Sequence, residues 1–250
     1  MRSLVLLATT CLAVPAFAVP QLQLDVLGGT YDPVTETIIA PEGQSLTLVA
    51  LLTPNGNPSA EDIAALLAGA YYISVALVPK TESEENGSFV FAGDTVAVSD
   101  MVFGVPPLED LIEHEAHDLP QHGVFETLFW QSPAFFFSAD MTAETYNTAD
   151  SPGGLVESQF GETFFRTFVV DSSLLPSGYQ LHFDLYNTVV VEANKKKAQN
   201  EEFTDIDADD FAPFSHDAQT NRNGHELPEP GTLALLGAGL LACFARTRRV

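Results

Sequence analysis

The feature that most limits the fold of this chain is a two-residue apolar rhythm carried by short segments. Leu181-His-Phe-Asp-Leu-Tyr-Asn187 shows it best: Leu181, Phe183 and Leu185 fall on one face of an extended chain, and His182, Asp184 and Tyr186 on the other. Comparable segments are Leu22–Val26, Leu46–Ala50, Tyr72–Val78, Ser88–Phe91, Thr95–Val98, Val124–Gln131, Ala134–Ala139, Thr163–Val170 and Gln180–Val191. Most are rich in Val, Phe, Tyr and Thr and bounded by Gly, Pro, Asn or Asp, which end strands and start turns. One stretch departs from the rhythm. Ser59–Gly69 sets Ile63, Leu66 and Leu67 on one helical stripe, with Ser59 placed to cap its start and Gly69 to end it. Strands with one short helix, and no alternation of the two, predict an all-β, antiparallel, jelly-roll-like β-sandwich.

The two ends read differently from the body. Met1-Arg-Ser-Leu opens an apolar stretch that runs to Val14, and Ala16 and Ala18 stand at the −3 and −1 positions of a signal peptidase site. That pattern predicts a secretory signal peptide over 1–18. Gly231–Ala245 carries no charge and is followed at once by Arg246-Thr-Arg-Arg249. As a helix it spans about 22 Å, short of the ~30 Å hydrocarbon core. Extension toward Pro228 and snorkelling arginines close much of that gap, so a transmembrane helix is predicted here. The arginines should stay cytoplasmic, leaving the preceding chain outside, which is the orientation the signal peptide also requires.

Charge excludes several function classes. The 250 residues hold 34 acids and 10 bases, a formal net charge of −24. Four of those bases (Arg2, Arg246, Arg248 and Arg249) lie in the ends, so the body is more acidic still. Nucleic acid, which needs cationic contacts to phosphate, is excluded as a partner. The only cysteines, Cys11 and Cys243, sit in the apolar ends. The body therefore has no thiol for zinc, iron–sulfur or disulfide chemistry.

Pro228-Glu229-Pro230, a short glycine-flecked apolar stretch and the Arg246, Arg248 and Arg249 tail together resemble a PEP-CTERM sorting domain. Such tails belong to proteins exported by Gram-negative bacteria and processed by exosortase. The resemblance implies a transit anchor over 228–250, with signal peptidase and exosortase as partners during export.

Candidates for chemistry in the body are few. His114, His117 and His122 form the densest group of metal donors, but His114-Glu-Ala-His117 has one residue between Glu and His where the zinc-protease signature has two. A short polar surface helix between Pro107 and Pro120 is the plainer account. Asp205, Asp207, Asp209 and Asp210 place acids at positions 1, 3, 5 and 6 of a possible calcium loop. Asp210 and His216 then replace the glycine and glutamate of the EF-hand pattern, so calcium is one candidate reading and an acidic surface loop the alternative. No nucleophile elbow, Walker loop or dinucleotide fingerprint occurs. The 18 phenylalanines, including Phe135–Phe137 and Phe164-Phe165, are expected in the core, and the single Trp130 gives little basis for a sugar-stacking face. Lys195–Lys197 reads as an exposed loop, and residues 198–227, which lose alternation, as a polar acidic spacer.

Leu24–Asp32, Leu119–Thr127, Leu181–Asn187 and Ala212–Gln219 resemble segments of the choice-of-anchor N proteins. Those are bacterial surface proteins whose related ectodomains end in different anchoring tails; no catalytic residues carry over. His122-Gly123 is a candidate tight turn there, and Asp25 and Asp184 candidate turn acceptors. The sequence thus predicts a signal peptide (1–18), an ectodomain (19–197), a spacer (198–227) and a sorting segment (228–250). The expected function is that of an exported, non-catalytic cell-surface or matrix protein whose ligands are calcium or envelope glycans. A metal-dependent or carbohydrate-active envelope enzyme is the alternative.

Overall fold

A computed structural model of the chain describes residues 21–82, 87–104, 127–187, 190–192, 204–206, 212 and 216–221. In chain order the elements are β1 (Leu22–Val26), β2 (Thr30–Asp32), β3 (Thr37–Glu42), β4 (Ser45–Leu52), α1 (Ala60–Ala68), β5 (Tyr71–Val78), β6 (Ser88–Phe91) and β7 (Asp94–Ala97). A single 3₁₀ turn (Val98–Asp100) leads to β8 (Val102–Gly104), β9 (Thr127–Gln131), β10 (Thr142–Ala143), β11 (Thr163–Asp171) and β12 (Gln180–Asn187). The last are β13 (Val190–Glu192), β14 (Thr204–Ile206) and β15 (Asp217–Asn221). A six-stranded sheet runs β1-β4-β11-β6-β7, with β10 added alongside β11. A seven-stranded sheet runs β2-β3-β15-β12-β5-β9-β8, and β13 pairs with β14 apart from both. The architecture is a two-sheet β-sandwich.

The core lies between the sheets, where the apolar rhythm places it. Leu22, Leu24 and Val26 of β1 and Leu48, Ala50 and Leu52 of β4 share one cluster with Ile73, Val75 and Leu77 of β5 and Leu181, Phe183 and Leu185 of β12. A chain of rings threads this core, from Phe137 through Tyr71, Phe135, Phe168, Phe91 and Trp130 to Phe89, with successive centroids 4.8–6.1 Å apart. The Arg166 guanidinium caps it, 5.5 Å from the centroids of Phe135 and Phe168. Most described phenylalanines are therefore core, and Trp130 packs edge-on inside the sandwich. Phe103, Phe136 and Phe160 are exposed instead.

The helix forms where its caps are. Ser59 Oγ accepts from the Asp62 amide at 3.2 Å and the Asp62 carboxylate accepts from the Ser59 amide at 2.9 Å, a reciprocal capping box. Gly69 ends the helix, but with φ −64° it is not left-handed. Space explains the glycine better: a Cβ there would lie 3.1 Å from the Leu66 carbonyl oxygen and 3.4 Å from the Tyr71 ring.

The structure corrects the sequence reading in three places. Ala134–Ala139 is not a strand; it touches the sheet through one bridge, Tyr71 to Phe135, while Phe135 and Phe137 are drawn into the ring chain. The long last strand stops at Asn187, and Val190–Glu192 turns to β14 instead. Within the expected spacer 198–227, β15 enters the seven-stranded sheet between β3 and β12, parallel to the first and antiparallel to the second. The sheet is therefore mixed and not wholly antiparallel. Of Asp217–Asn221 only Ala218 is apolar and packed in the core, so the strand has no apolar rhythm to betray it. Ala212, buried just before it, donates its amide to the Leu185 carbonyl at 2.8 Å. Among the described residues no helix is long and apolar enough to cross a membrane. The predicted signal peptide and the sorting segment lie outside the described residues.

Phe183, fully buried at the centre of this core, is expected to lose about 3–5 kcal/mol on change to alanine. Phe160, 94% exposed, should change stability by less than about 0.5 kcal/mol on the same substitution. Urea unfolding of the full chain in detergent compares the two midpoints.

Candidate functional site

Of the residues singled out in the sequence for sorting, cleavage or metal binding, only Asp205 is described. It lies in β14, in register with Val191 of β13, a strand position where a calcium loop was the expectation. His114, His117, His122, Asp207, Asp209, Asp210, Ala16, Ala18, Pro228, Glu229, Pro230, Arg246, Arg248 and Arg249 lie outside the described residues, as does the His122-Gly123 turn.

The polar groups that the structure gathers are in strands. Leu181, Phe183 and Leu185 of β12 enter the core, so the pleat turns His182, Asp184 and Tyr186 to the outer face of the seven-stranded sheet. That face is nevertheless buried: the three residues are only 5%, 4% and 0% exposed. His182 stands opposite Ala76 of β5 and Gln219 of β15, and Asp184 opposite Ser74 of β5. One further step of the β12–β15 register brings Asp217 opposite Asp184. Two strands thus place one imidazole and two carboxylates together, and a third contributes a hydroxyl beside them.

Their spacing is unusual for hydrogen bonding. His182 Nε2 lies 3.6 Å from Asp184 Oδ1 and 3.7 Å from Asp217 Oδ2. Both exceed the 2.7–3.2 Å of an N–H···O hydrogen bond, so the attraction is coulombic. Burial lowers the His182 pKa, but the two carboxylates outweigh it and push the group up to about 10. The two buried carboxyl groups thus favour the protonated imidazole. Beside it, Ser74 Oγ and His182 Nδ1 are buried with no hydrogen-bond partner among the described residues. Tyr186, stacked on Tyr72 at 5.6 Å, has its hydroxyl held well above the ordinary phenol range by burial and by the Asp184 charge.

A second polar network lies on the outer face of the other sheet. The segment around 144–154 crosses β1 and is fastened to Gln23 and Asp25, both fully buried. Asp25 accepts from the Tyr146 hydroxyl at 2.7 Å, the Gly153 amide at 2.8 Å and the Val26 amide at 2.8 Å. Gln23 accepts from the Thr148 amide at 3.0 Å and donates to the Tyr146 carbonyl at 3.2 Å. Gly153 has φ +70°, and a Cβ on it would meet the Gly28 amide nitrogen at 2.8 Å, so only glycine brings this amide to the carboxylate. Burial pushes the Asp25 pKa up, against the hydrogen bonds from Gly153, Tyr146 and Val26. His216 closes the network with Nε2 3.2 Å from Asn147 Oδ1, and burial pushes it down to about 4. Saturated in this way, Asp25 is suited to clasping a loop rather than to moving protons.

The sequence placed His182 and Asp184 on one face through their spacing. It did not bring in Asp217, which lies in the presumed spacer, or Ser74, whose apolar neighbours conceal it. Asp25 and Asp184 are strand residues, not turn residues.

Tyr146→Phe removes one donor from a buried carboxylate and should cost about 1–3 kcal/mol by urea unfolding. His216 yields a pH dependence. Its folded pKa lies below the unfolded 6.5, so the unfolded chain takes up a proton that the folded chain refuses. The corresponding stability is complete above about pH 6.5 and is lost as pH falls toward 4. His216→Asn should flatten the unfolding free energy across that window.

Comparison with known proteins gives one family match: the PEP-CTERM protein-sorting motif fits residues 226–249. No curated protein and no solved structure matches the chain. The matched tail supports exosortase-targeted export of the chain.

Proposed function

We propose that the chain is a non-catalytic β-sandwich of the cell surface or extracellular matrix, carried through the inner membrane by its tail and released by exosortase. The observation that carries this reading is the sorting motif at 226–249, behind a body whose described part is a β-sandwich. Three sequence features support it. Ala16 and Ala18 provide a signal peptidase site, Gly231–Ala245 with its arginine tail provides a transient membrane anchor, and the acidic body suits an aqueous, anion-rich envelope. The segments that resemble choice-of-anchor N proteins fit the same kind of cargo. Its ligands in this reading are calcium, taken by the acidic run 205–210, or a neutral envelope polysaccharide.

The test is expression in an exosortase-bearing host and in its exosortase-deletion strain, followed by mass spectrometry of the surface and secreted fractions. The mature protein should begin after Ala18 and lack the arginine tail. Changing both Pro228 and Pro230 to alanine, or deleting exosortase, should leave the tail attached. An intact tail on the surface protein of the exosortase-bearing host would overturn the reading. For calcium, millimolar addition should raise the melting temperature of the full chain, with the rise lost in Asp207→Ala; an unchanged wild-type melting temperature removes calcium from the proposal.

A further inference from the structure

We propose that His182, Asp184 and Asp217 form a buried structural site for one transition-metal dication of the zinc class, tying β15 to β12. The three donor atoms all lie within 4.8 Å of one another, and all three residues are buried. Donors held about 2.0–2.2 Å from a tetrahedral ion are separated by roughly 3.3–3.6 Å. The observed 3.6 and 3.7 Å from Nε2 to the two carboxylate oxygens lie at the upper edge of that spacing, and about half an ångström beyond a hydrogen bond. The imidazole nitrogen is therefore placed to share an ion with the two carboxylates, which close in on it when it binds.

The donor atoms are ones such an ion takes: one imidazole nitrogen and two carboxylate oxygens. Binding replaces the proton on His182 Nε2, which passes to solvent, and nothing is oxidised or reduced. Ser74 is an independent sign. It faces Asp184 across β5 and β12, is fully buried, and its Oγ has no hydrogen-bond partner among the described residues. A metal-bound carboxylate oxygen or the ion itself would give that hydroxyl its partner. The donor set selects the metal: imidazole nitrogen with two carboxylates suits zinc-class ions, whereas calcium requires six to eight oxygens. The site is distinct from the acidic run 205–210, and it stands or falls apart from the export reading.

The experiment uses the full chain, purified in detergent, stripped with a chelator and dialysed. Zinc should then bind at one equivalent by elemental analysis and raise the melting temperature by several degrees. Cobalt in its place should show the visible d–d absorption of a nitrogen- and oxygen-liganded site, and calcium should not displace it. Asp217→Asn, which keeps the side-chain shape, and His182→Gln should weaken zinc binding at least tenfold and abolish the cobalt spectrum. A variant with His114, His117 and His122 all changed to alanine should retain both. Far-UV circular dichroism verifies that each protein is folded. A folded wild-type chain that binds no zinc overturns the proposal whatever the variants do. So does wild-type zinc affinity in folded Asp217→Asn, or loss of binding only in the triple-histidine variant.

Discussion

The burial of β12 on both of its faces is the constraint on which the rest of this structure depends. Leu181, Phe183 and Leu185 pack against β1 and β4 across the sandwich, while His182, Asp184 and Tyr186 are closed off on the other side. A strand at the surface of a sandwich would ordinarily leave its polar face in water. Here the polar face is buried, with an imidazole, a carboxylate and a phenol on it. Pairing of β15 with β12 brings Asp217 alongside them and fixes which of these groups meet.

The two outer faces solve the same problem by different chemistry. On the six-stranded sheet, Asp25 is supplied with donors from Tyr146, Gly153 and Val26, and the cost of a buried carboxylate is offset by well-formed hydrogen bonds. On the seven-stranded sheet, His182, Asp184 and Asp217 approach without reaching hydrogen-bond distance. The first arrangement is a hydrogen-bonded clasp; the second sets one imidazole 3.6 and 3.7 Å from two carboxylates. Gly153 shows how narrowly the clasp is specified, since a single methyl group would collide with the backbone at Gly28.

Much of the sandwich was legible because burial imposes period two on strands and the chain obeys it. Leu22–Val26, Tyr72–Val78 and Leu181–Asn187 were readable for that reason, and the helix was readable from Ser59 and the stripe it precedes. Ala134–Ala139 misled because its aromatic residues imitate strand composition while serving as wedges in the ring chain. β15 escaped notice because a strand with one apolar residue in the core leaves hardly any hydrophobic signal. The metal donors proposed from sequence were near neighbours along the chain, whereas those the fold assembles come from residues 182, 184 and 217.

By itself the sequence determined the class of fold, the acidity of the body and the sorting tail at 226–249, because each is written in local composition or order. Tertiary structure alone decided that β15 lies between β3 and β12, that Asp217 meets His182, and that the segment around Tyr146 closes over Asp25. Those outcomes rest on pairings between residues tens of positions apart. Their free energy comes from contacts that no short stretch of chain contains.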